Sequence, residues 1–272
     1  MCKVLGVPRS SYYKYLNRKP SKRETENEHL EKLILEIYED SGKTYGAPKI
    51  NITLRNKGIT ISIKRTQRLM NNMGIKSIII KKFRPTSSKN KTVSKENIIK
   101  RDFSTKTINE KWVTDITYIH TVKDGWCYLA SVMDLHSKKI IGHAISRTID
   151  TELALQAVKN AILLQKPINP LILHSDLGSQ YTSYEFGKYI SESKILTHSF
   201  SGKGCPYDNA CIESFHASLK KEEVNLVKYY DFDTARLAIF KYIEAWYNRK
   251  RIHSSIGYIT PQECEDLAKS AA

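Results

Sequence analysis

The spacing of apolar residues divides the chain into two halves with different periods. In the first half the period is helical. Leu30, Leu33, Ile34, Ile37 and Tyr38 recur at helical steps through Glu24–Asp40, and Gly42 closes that helix. Two more helices are predicted over Ala47–Asn56 and Ser62–Asn72, separated by Lys57-Gly-Ile-Thr60. In the second of these, Thr66, Leu69, Met70 and Met73 share one face, while Lys64, Arg65, Gln67 and Arg68 point away from it. Two short helices around a glycine turn, the second basic on its outer side, form a helix-turn-helix-like pattern suited to DNA. A plain helical hairpin with a solvated basic face has the same pattern. Residues 1–18 read as a short helical or turn segment with an aromatic cluster at Tyr12, Tyr13 and Tyr15.

From Lys111 the period shortens. Lys111–Thr121, Trp126–Asp134 and Lys139–Ser146 read as three β-runs with turn signals at Lys123-Asp-Gly and His136-Ser-Lys. An Ala- and Leu-rich helix follows over Thr151–Gln165, then a wholly apolar strand over Pro170–Ser175. A helix over Ser183–Ser193, a strand over Ile195–Phe200 and helices over Asn209–Glu223 and Thr234–Trp246 complete the order. A three-strand meander followed by helix, strand, helix, strand and helix is the order of a ribonuclease-H-like α/β domain. Lys81–Lys106, with Arg84-Pro-Thr-Ser-Ser-Lys-Asn-Lys91, is polar, basic and nearly free of apolar residues, as a linker would be. The expected organisation is a helical, DNA-binding region over 1–80, a basic linker over 81–108, the α/β core over 109–225 and a helical C-terminal extension over 226–272.

Charge adds a substrate class to this picture. The 272 residues carry a net +16 with a pI near 9.5, which predicts a polyanionic partner. Residues 1–110 hold 25 Lys/Arg against 10 Asp/Glu, a net of +15, whereas 111–272 hold 19 against 18, a net of +1. The basic half reads as a handle for nucleic acid and the near-neutral half as the chemical engine. Five scattered cysteines without a C-x-x-C pair suit a reducing cytosol, and no apolar run is long enough for a membrane span. The N-terminus lacks the apolar region of a signal peptide, so a soluble intracellular protein is expected.

The candidate chemistry lies in three acids on different elements. Asp115 sits within a strand of Trp, Val, Ile, Thr and Tyr, where a carboxylate disfavours burial unless paired, hydrogen-bonded or metal-bound. Asp176 ends its strand, where open α/β sheets place functional groups, and Gly178 behind it allows close backbone approach. Glu213 follows Asp208-Asn209, good N-cap types, and so belongs to the first turns of its helix. Carboxylates gathered from separate elements suit a pair of hard divalent cations. Asp134 competes for the first position but is better placed to cap its hairpin, and Asp208 reads as a cap beside Asn209. Lys220, seven residues after Glu213, returns to nearly the same helix face and would meet DNA beside the acids. Arg249, Arg251 and His253 with Tyr258 also permit a tyrosine-recombinase reading, which would work without metal and leave a covalent protein–DNA adduct. A non-catalytic DNA-binding protein derived from a transposon is a further alternative.

Four motifs together resemble the catalytic subunit of insertion sequence 3 family transposases, relatives of the retroviral integrases. They are Trp112-Val-Thr-Asp-Ile-Thr-Tyr-Ile119, His174-Ser-Asp-Leu-Gly-Ser-Gln-Tyr-Thr-Ser183, Gly204-Cys-Pro-Tyr-Asp-Asn-Ala-Cys-Ile-Glu-Ser-Phe215 and Tyr247–Gln262. Lys43-Thr-Tyr-Gly-Ala-Pro-Lys-Ile50 and Arg65–Ile75 resemble that family's N-terminal region, so the likeness covers nearly the whole chain. The resemblance implies a DDE recombinase in which Asp115, Asp176 and Glu213 bind two Mg²⁺ ions, with Mn²⁺ as a substitute, and no covalent intermediate forms. It implies cleavage and strand transfer at the ends of the element, copying-type transposition through a circle, and double-stranded DNA as partner at element ends and target. It also implies a small upstream helix-turn-helix and coiled-coil protein, joined through a frameshift fusion, a homo-oligomer on DNA, and a place at the bacterial nucleoid. The start at Met1-Cys-Lys-Val-Leu-Gly-Val fits the family's usual entry into this frame. One departure is visible: 36 residues separate Asp176 from Glu213, one more than is usual, and the surplus falls near Lys194-Ile-Leu-Thr-His198.

Overall fold

The computed structural model describes residues 4, 6, 8–78, 96–202 and 206–271. Packing divides the chain into two compact units, Met1–Ile78 and Ile79–Ala272.

The first unit is helical: α1 (Arg9–Leu16), α2 (Lys22–Asp40), α3 (Ala47–Asn56) and α4 (Ile63–Asn72). Ser21 starts α2 with a capping box to Glu24, and the Ser62 hydroxyl accepts from Arg65 N–H at the start of α4. Gly42, Gly58 and Gly74, each at positive φ, end α2, α3 and α4. Leu30, Ile34, Ile50, Leu54 and Leu69, all at most 2 % exposed, form the core of this unit. Within it Asn51 Nδ2 donates to Ile61 O (2.9 Å) and Thr66 Oγ1 (3.0 Å), so its amide ties α3 to the start of α4. No residue of α1 is buried, and the three tyrosines grouped by the sequence stand exposed.

The second unit is built on a five-stranded sheet of order β3-β2-β1-β4-β5: β1 (Lys111–Thr121), β2 (Gly125–Asp134), β3 (Ile140–Ser146), β4 (Leu171–Ser175) and β5 (Leu196–Phe200). The first three strands are antiparallel, and β4 and β5 run parallel to β1. Alternation along β1 sends Trp112 into one apolar layer and Val113 and Ile119 into the other. The first layer is closed by α5 (Thr151–Gln165), α6 (Ser179–Thr182) and α7 (Tyr184–Ser193). Ala154, Ala157 and Ala161 let α5 approach β3 so closely that a Cβ on Gly142 would meet Ala157 O at 2.3 Å. The second layer is closed by α8 (Ala210–Leu219), with its π-helical continuation Lys220–Val224, and by α9 (Phe232–Lys241), with Tyr242–Tyr247.

Two regions pack more closely than the sequence suggested. Part of the expected linker, residues 81–95, lies outside the described residues, but Ile99 is 3 % exposed and joins the second apolar layer with Phe103. The C-terminal extension shares that same layer through Ile239, Ile243 and Tyr247. A final helix absent from the sequence reading, α10 (Pro261–Ser270), starts with a Thr260/Glu263 capping box. Its buried Glu265 pairs with Lys139 at the head of β3. The Asn248 amide completes that edge, accepting from Ile140 N–H and donating to Ile140 O, both at 3.0 Å.

Candidate active site

The parallel register of β1 with β4 brings the first two acids together. Val113 lies beside His174, and the same register carried two residues further sets Asp115 beside Asp176. Burial, and then the charge of Asp115, push the Asp176 carboxyl up to about 6, while the Gly178 N–H pulls the other way. That N–H donates to Asp176 Oδ1 at 3.0 Å. A Cβ on Gly178 would stand 2.9 Å from the same oxygen, so a side chain there would press on the carboxylate. Beneath the pair, buried Tyr181 shares a hydrogen bond of 3.1 Å with Thr114, the residue before Asp115.

The third acid comes from α8, which is pinned to β1 from two sides. Ile212 and Phe215 are buried in the second apolar layer. Asn209 Nδ2 donates to Thr114 O at 3.2 Å, and His216 Nδ1 stands 3.4 Å from Asp115 Oδ2. Glu213, one turn before His216, lies on the exposed side of the same helix. Among the described residues no three His, Cys, Asp or Glu side chains stand together at metal-holding spacing. Asp115 is thus flanked by Asp176 on one side and His216 on the other, and Glu213 stands on the adjoining helix.

The competing acids are fully engaged elsewhere. Asp134 is 2 % exposed and accepts from the backbone N–H groups of Asn109, His136 and Ser137 and from the Ser137 hydroxyl, as expected of a hairpin cap. Asp208 differs from expectation. It caps no helix but accepts from Arg101 Nε (2.6 Å), Asn97 Nδ2 (3.0 Å) and Gly202 N–H (2.8 Å), fastening residues 97–101 to the loop before α8. Asn209 is the N-cap residue of α8 but makes no side-chain capping bond, because its amide is turned to Thr114. In the segment expected to hold the surplus residue of the Asp176–Glu213 interval, Lys194, at φ 58°, ends α7 in a left-handed turn before β5. Residues 203–205 of the following loop lie outside the described residues.

The basic residues singled out by sequence separate into two groups. Lys64, Gln67, Arg68 and Arg249 are exposed, and Lys220 is half-buried where the π-helical turn begins. Arg65 is turned onto α2, donating to Glu26 Oε1 (2.9 Å) and to Asn27 Oδ1. Arg251 is set apart from the exposed group: its side chain is 11 % exposed and forms a bidentate pair with Glu222, itself 13 % exposed. Tyr242 and Trp246 donate to the same carboxylate. Arg251 thus holds the C-terminal segment to the α8 continuation. Nothing in its isolated motif could have announced this, because Glu222 lies 29 residues away.

A mixed five-stranded sheet with one carboxylate within its central strand and another just past the end of the parallel neighbour defines an integrase-type catalytic core. Residues 106–206 and 195–261 match family models described as integrase core domain, and residues 25–83 match an HTH-like domain. Transposase InsF for insertion sequence IS3A of Escherichia coli is 35 % identical over 98 % of this chain and 93 % of its own length. The insertion element IS600 uncharacterized 31 kDa protein of Shigella sonnei is 36 % identical over 96 % of both chains. Among solved structures, the HTLV-2 integrase catalytic core domain in complex with magnesium is similar over 59 % of this chain and 98 % of that one, at 17 % identity and a TM-score of 0.45. The chain belongs to the insertion sequence 3 family of transposases. It is a DNA-binding enzyme of the polynucleotidyl-transferase type, which removes the tyrosine-recombinase alternative. Among the described residues no helix is long and apolar enough to cross a membrane.

Proposed function

We propose that this transposase cleaves the ends of its element and joins the freed 3′-hydroxyl to target DNA at one site formed by Asp115, Asp176 and Glu213. The observation that carries the reading is the pairing of Asp115 with Asp176, whose carboxyl is pushed up by burial and by the Asp115 charge, with no cationic side chain matched to it among the described residues. Such a donor set fits divalent cations, whose charge relieves the repulsion. Asp115, Asp176 and Glu213 would hold two Mg²⁺ ions, or Mn²⁺ in their place, and the bound metal would supply Lewis-acid activation of the attacking and leaving oxygens.

The protein's own part is to hold these groups rigidly. Gly178 N–H fixes Asp176, His216 flanks Asp115, and the anchored α8 presents Glu213 from the side. Lys220, Arg249, Lys64, Gln67 and Arg68 contact the phosphates in this reading, the last three from the helical N-terminal region. Family membership also supports assembly of several copies on DNA and a small upstream partner with its own helix-turn-helix and coiled coil, joined by frameshifting. Incubating labelled element ends with Mg²⁺ tests the site: Glu213→Gln loses cleavage by about a thousandfold or more. Equal cleavage by both proteins, or cleavage indifferent to a chelator, would sink the mechanism.

A further inference from the structure

Asp115 lies on the face of the sheet that α8 covers. Val113 and Ile119, two residues before it and four after it on β1, pack in one apolar layer with Ile212, Phe215 and Leu219 of α8. Alternation along the strand puts Asp115 on that same face. The stripe that α8 buries, Ile212, Phe215, His216 and Leu219, runs at helical steps, and His216 is its single polar residue. An imidazole in such a stripe gives up its hydration, a cost that an apolar side chain would avoid. His216 is 6 % exposed, and its buried Nε2 has no hydrogen-bond partner among the described residues. Packing alone therefore supplies no reason for a histidine here. The other ring nitrogen does, because Nδ1 stands 3.4 Å from Asp115 Oδ2.

Asp115 is thereby held from two directions. Its Oδ1 accepts from the Ile116 N–H at 2.8 Å, while Oδ2 faces the imidazole. The terminal torsion of an aspartate is otherwise broad, so a second contact fixes the plane in which the carboxylate offers its lone pairs. Each oxygen has two acceptor sites, and a donor on one leaves the other for a cation.

We propose that His216 is a positioning residue, whose Nδ1–H donates to Asp115 Oδ2 and orients that carboxylate for a divalent cation. It touches neither metal nor DNA and acts only through Asp115. Because His216 lies one turn after Glu213, a single helix both presents the third acid and orients the first. The proposal rests on reading Asp115 and Asp176 as the metal-holding pair.

Thermal melts of the DNA-free protein during a Mg²⁺ titration read cation binding apart from cleavage. His216→Leu keeps the buried stripe apolar, so without metal it should melt at or above the wild-type temperature. It should nevertheless need about 10- to 100-fold more Mg²⁺ for the same rise. His216→Asn puts an amide nitrogen where Nδ1 stood and should bring the requirement back to nearly that of the wild type. His216→Gln carries its amide to the place of Nε2 and should behave like His216→Leu. Cleavage assays should repeat this ranking in the Mg²⁺ concentration at half-maximal rate, with a smaller change in the rate at saturation. A wild-type Mg²⁺ requirement in His216→Leu, or equal behaviour of His216→Asn and His216→Gln, would overturn the proposal. So would a lower melting temperature in His216→Leu with the rate reduced by one factor at every Mg²⁺ concentration, which would make His216 a packing residue. Where His216→Leu fails to fold, the contrast between His216→Asn and His216→Gln decides alone. No Mg²⁺-dependent rise in the wild type would instead remove the metal-holding pair itself, and the role of His216 with it.

Discussion

The catalytic unit holds two clusters built around carboxylates of limited exposure, and their chemistry is opposite. Glu222 is matched: a bidentate Arg251, the Tyr242 hydroxyl and the Trp246 indole N–H all donate to it. Asp176 is unmatched among the described residues: the Gly178 backbone N–H donates to it, and the charge acting on it is that of another carboxylate. Both clusters adjoin the same helical element, α8 with its continuation, so position in the fold does not distinguish them. What differs is compensation. A charge that the fold has already neutralised is structure, and one left uncompensated is the better candidate for a functional site.

The largest effect should come from breaking the matched cluster. Arg251→Ala strands Glu222 inside the protein and should cost about 3–5 kcal/mol, lowering the melting temperature by roughly 6–20 °C. A drop near zero in a thermal melt would mean the pair is solvated and the contrast false. The unmatched cluster should respond in the opposite direction. The Asp176 carboxyl is raised in the folded state to about 6 from 3.8, so its favourable contribution is present below pH ~4 and lost as pH rises through about 6. Asp176→Asn should therefore stabilise the metal-free protein by about 1–3 kcal/mol at pH 7 and by almost nothing at pH 4. Denaturant titrations at the two pH values check both sign and window.

The smallest effect concerns the basic helix of the N-terminal unit, where the same contrast between spent and available charge recurs. Exposed Lys64 and Arg68 should each weaken duplex binding by about 1 kcal/mol when replaced by Ala and lower the salt slope by about one. Arg65→Ala should change binding less, because that guanidinium is already tied to Glu26 and Asn27. An Arg65 effect as large as that of Arg68 would show that DNA competes the internal pair away.

Local pattern made much of this architecture legible. The Lys111–Thr121 strand and the Ala47–Asn56 and Thr151–Gln165 helices agree with their predicted bounds, because each has one clear apolar period and end signals of its own. Asp115 and Asp176 could be singled out because a carboxylate stands out within an apolar strand or at its end. What escaped the sequence depends on partners distant along the chain. Arg251 looked available because its motif is basic, yet Glu222 had already claimed it. Asp208 looked like a cap, yet Arg101 and Asn97 hold it. Residues 96–108 looked like linker because one buried Ile99 among polar neighbours sets no period. The α10 helix was missed for a similar reason: only Pro261 and Glu265 are buried in it, and that glutamate is satisfied by Lys139.

The contrast between matched and unmatched carboxylates is tested most directly by following thermal stability during a Mg²⁺ titration at pH 7. A cation that binds only the folded site raises the melting temperature progressively with concentration. The wild type should show that rise, and Asp176→Asn, more stable at the start, should show little or none. Equal shifts in the two proteins, or no shift in the wild type, would contradict the assignment of Asp115 and Asp176 as the metal-holding pair.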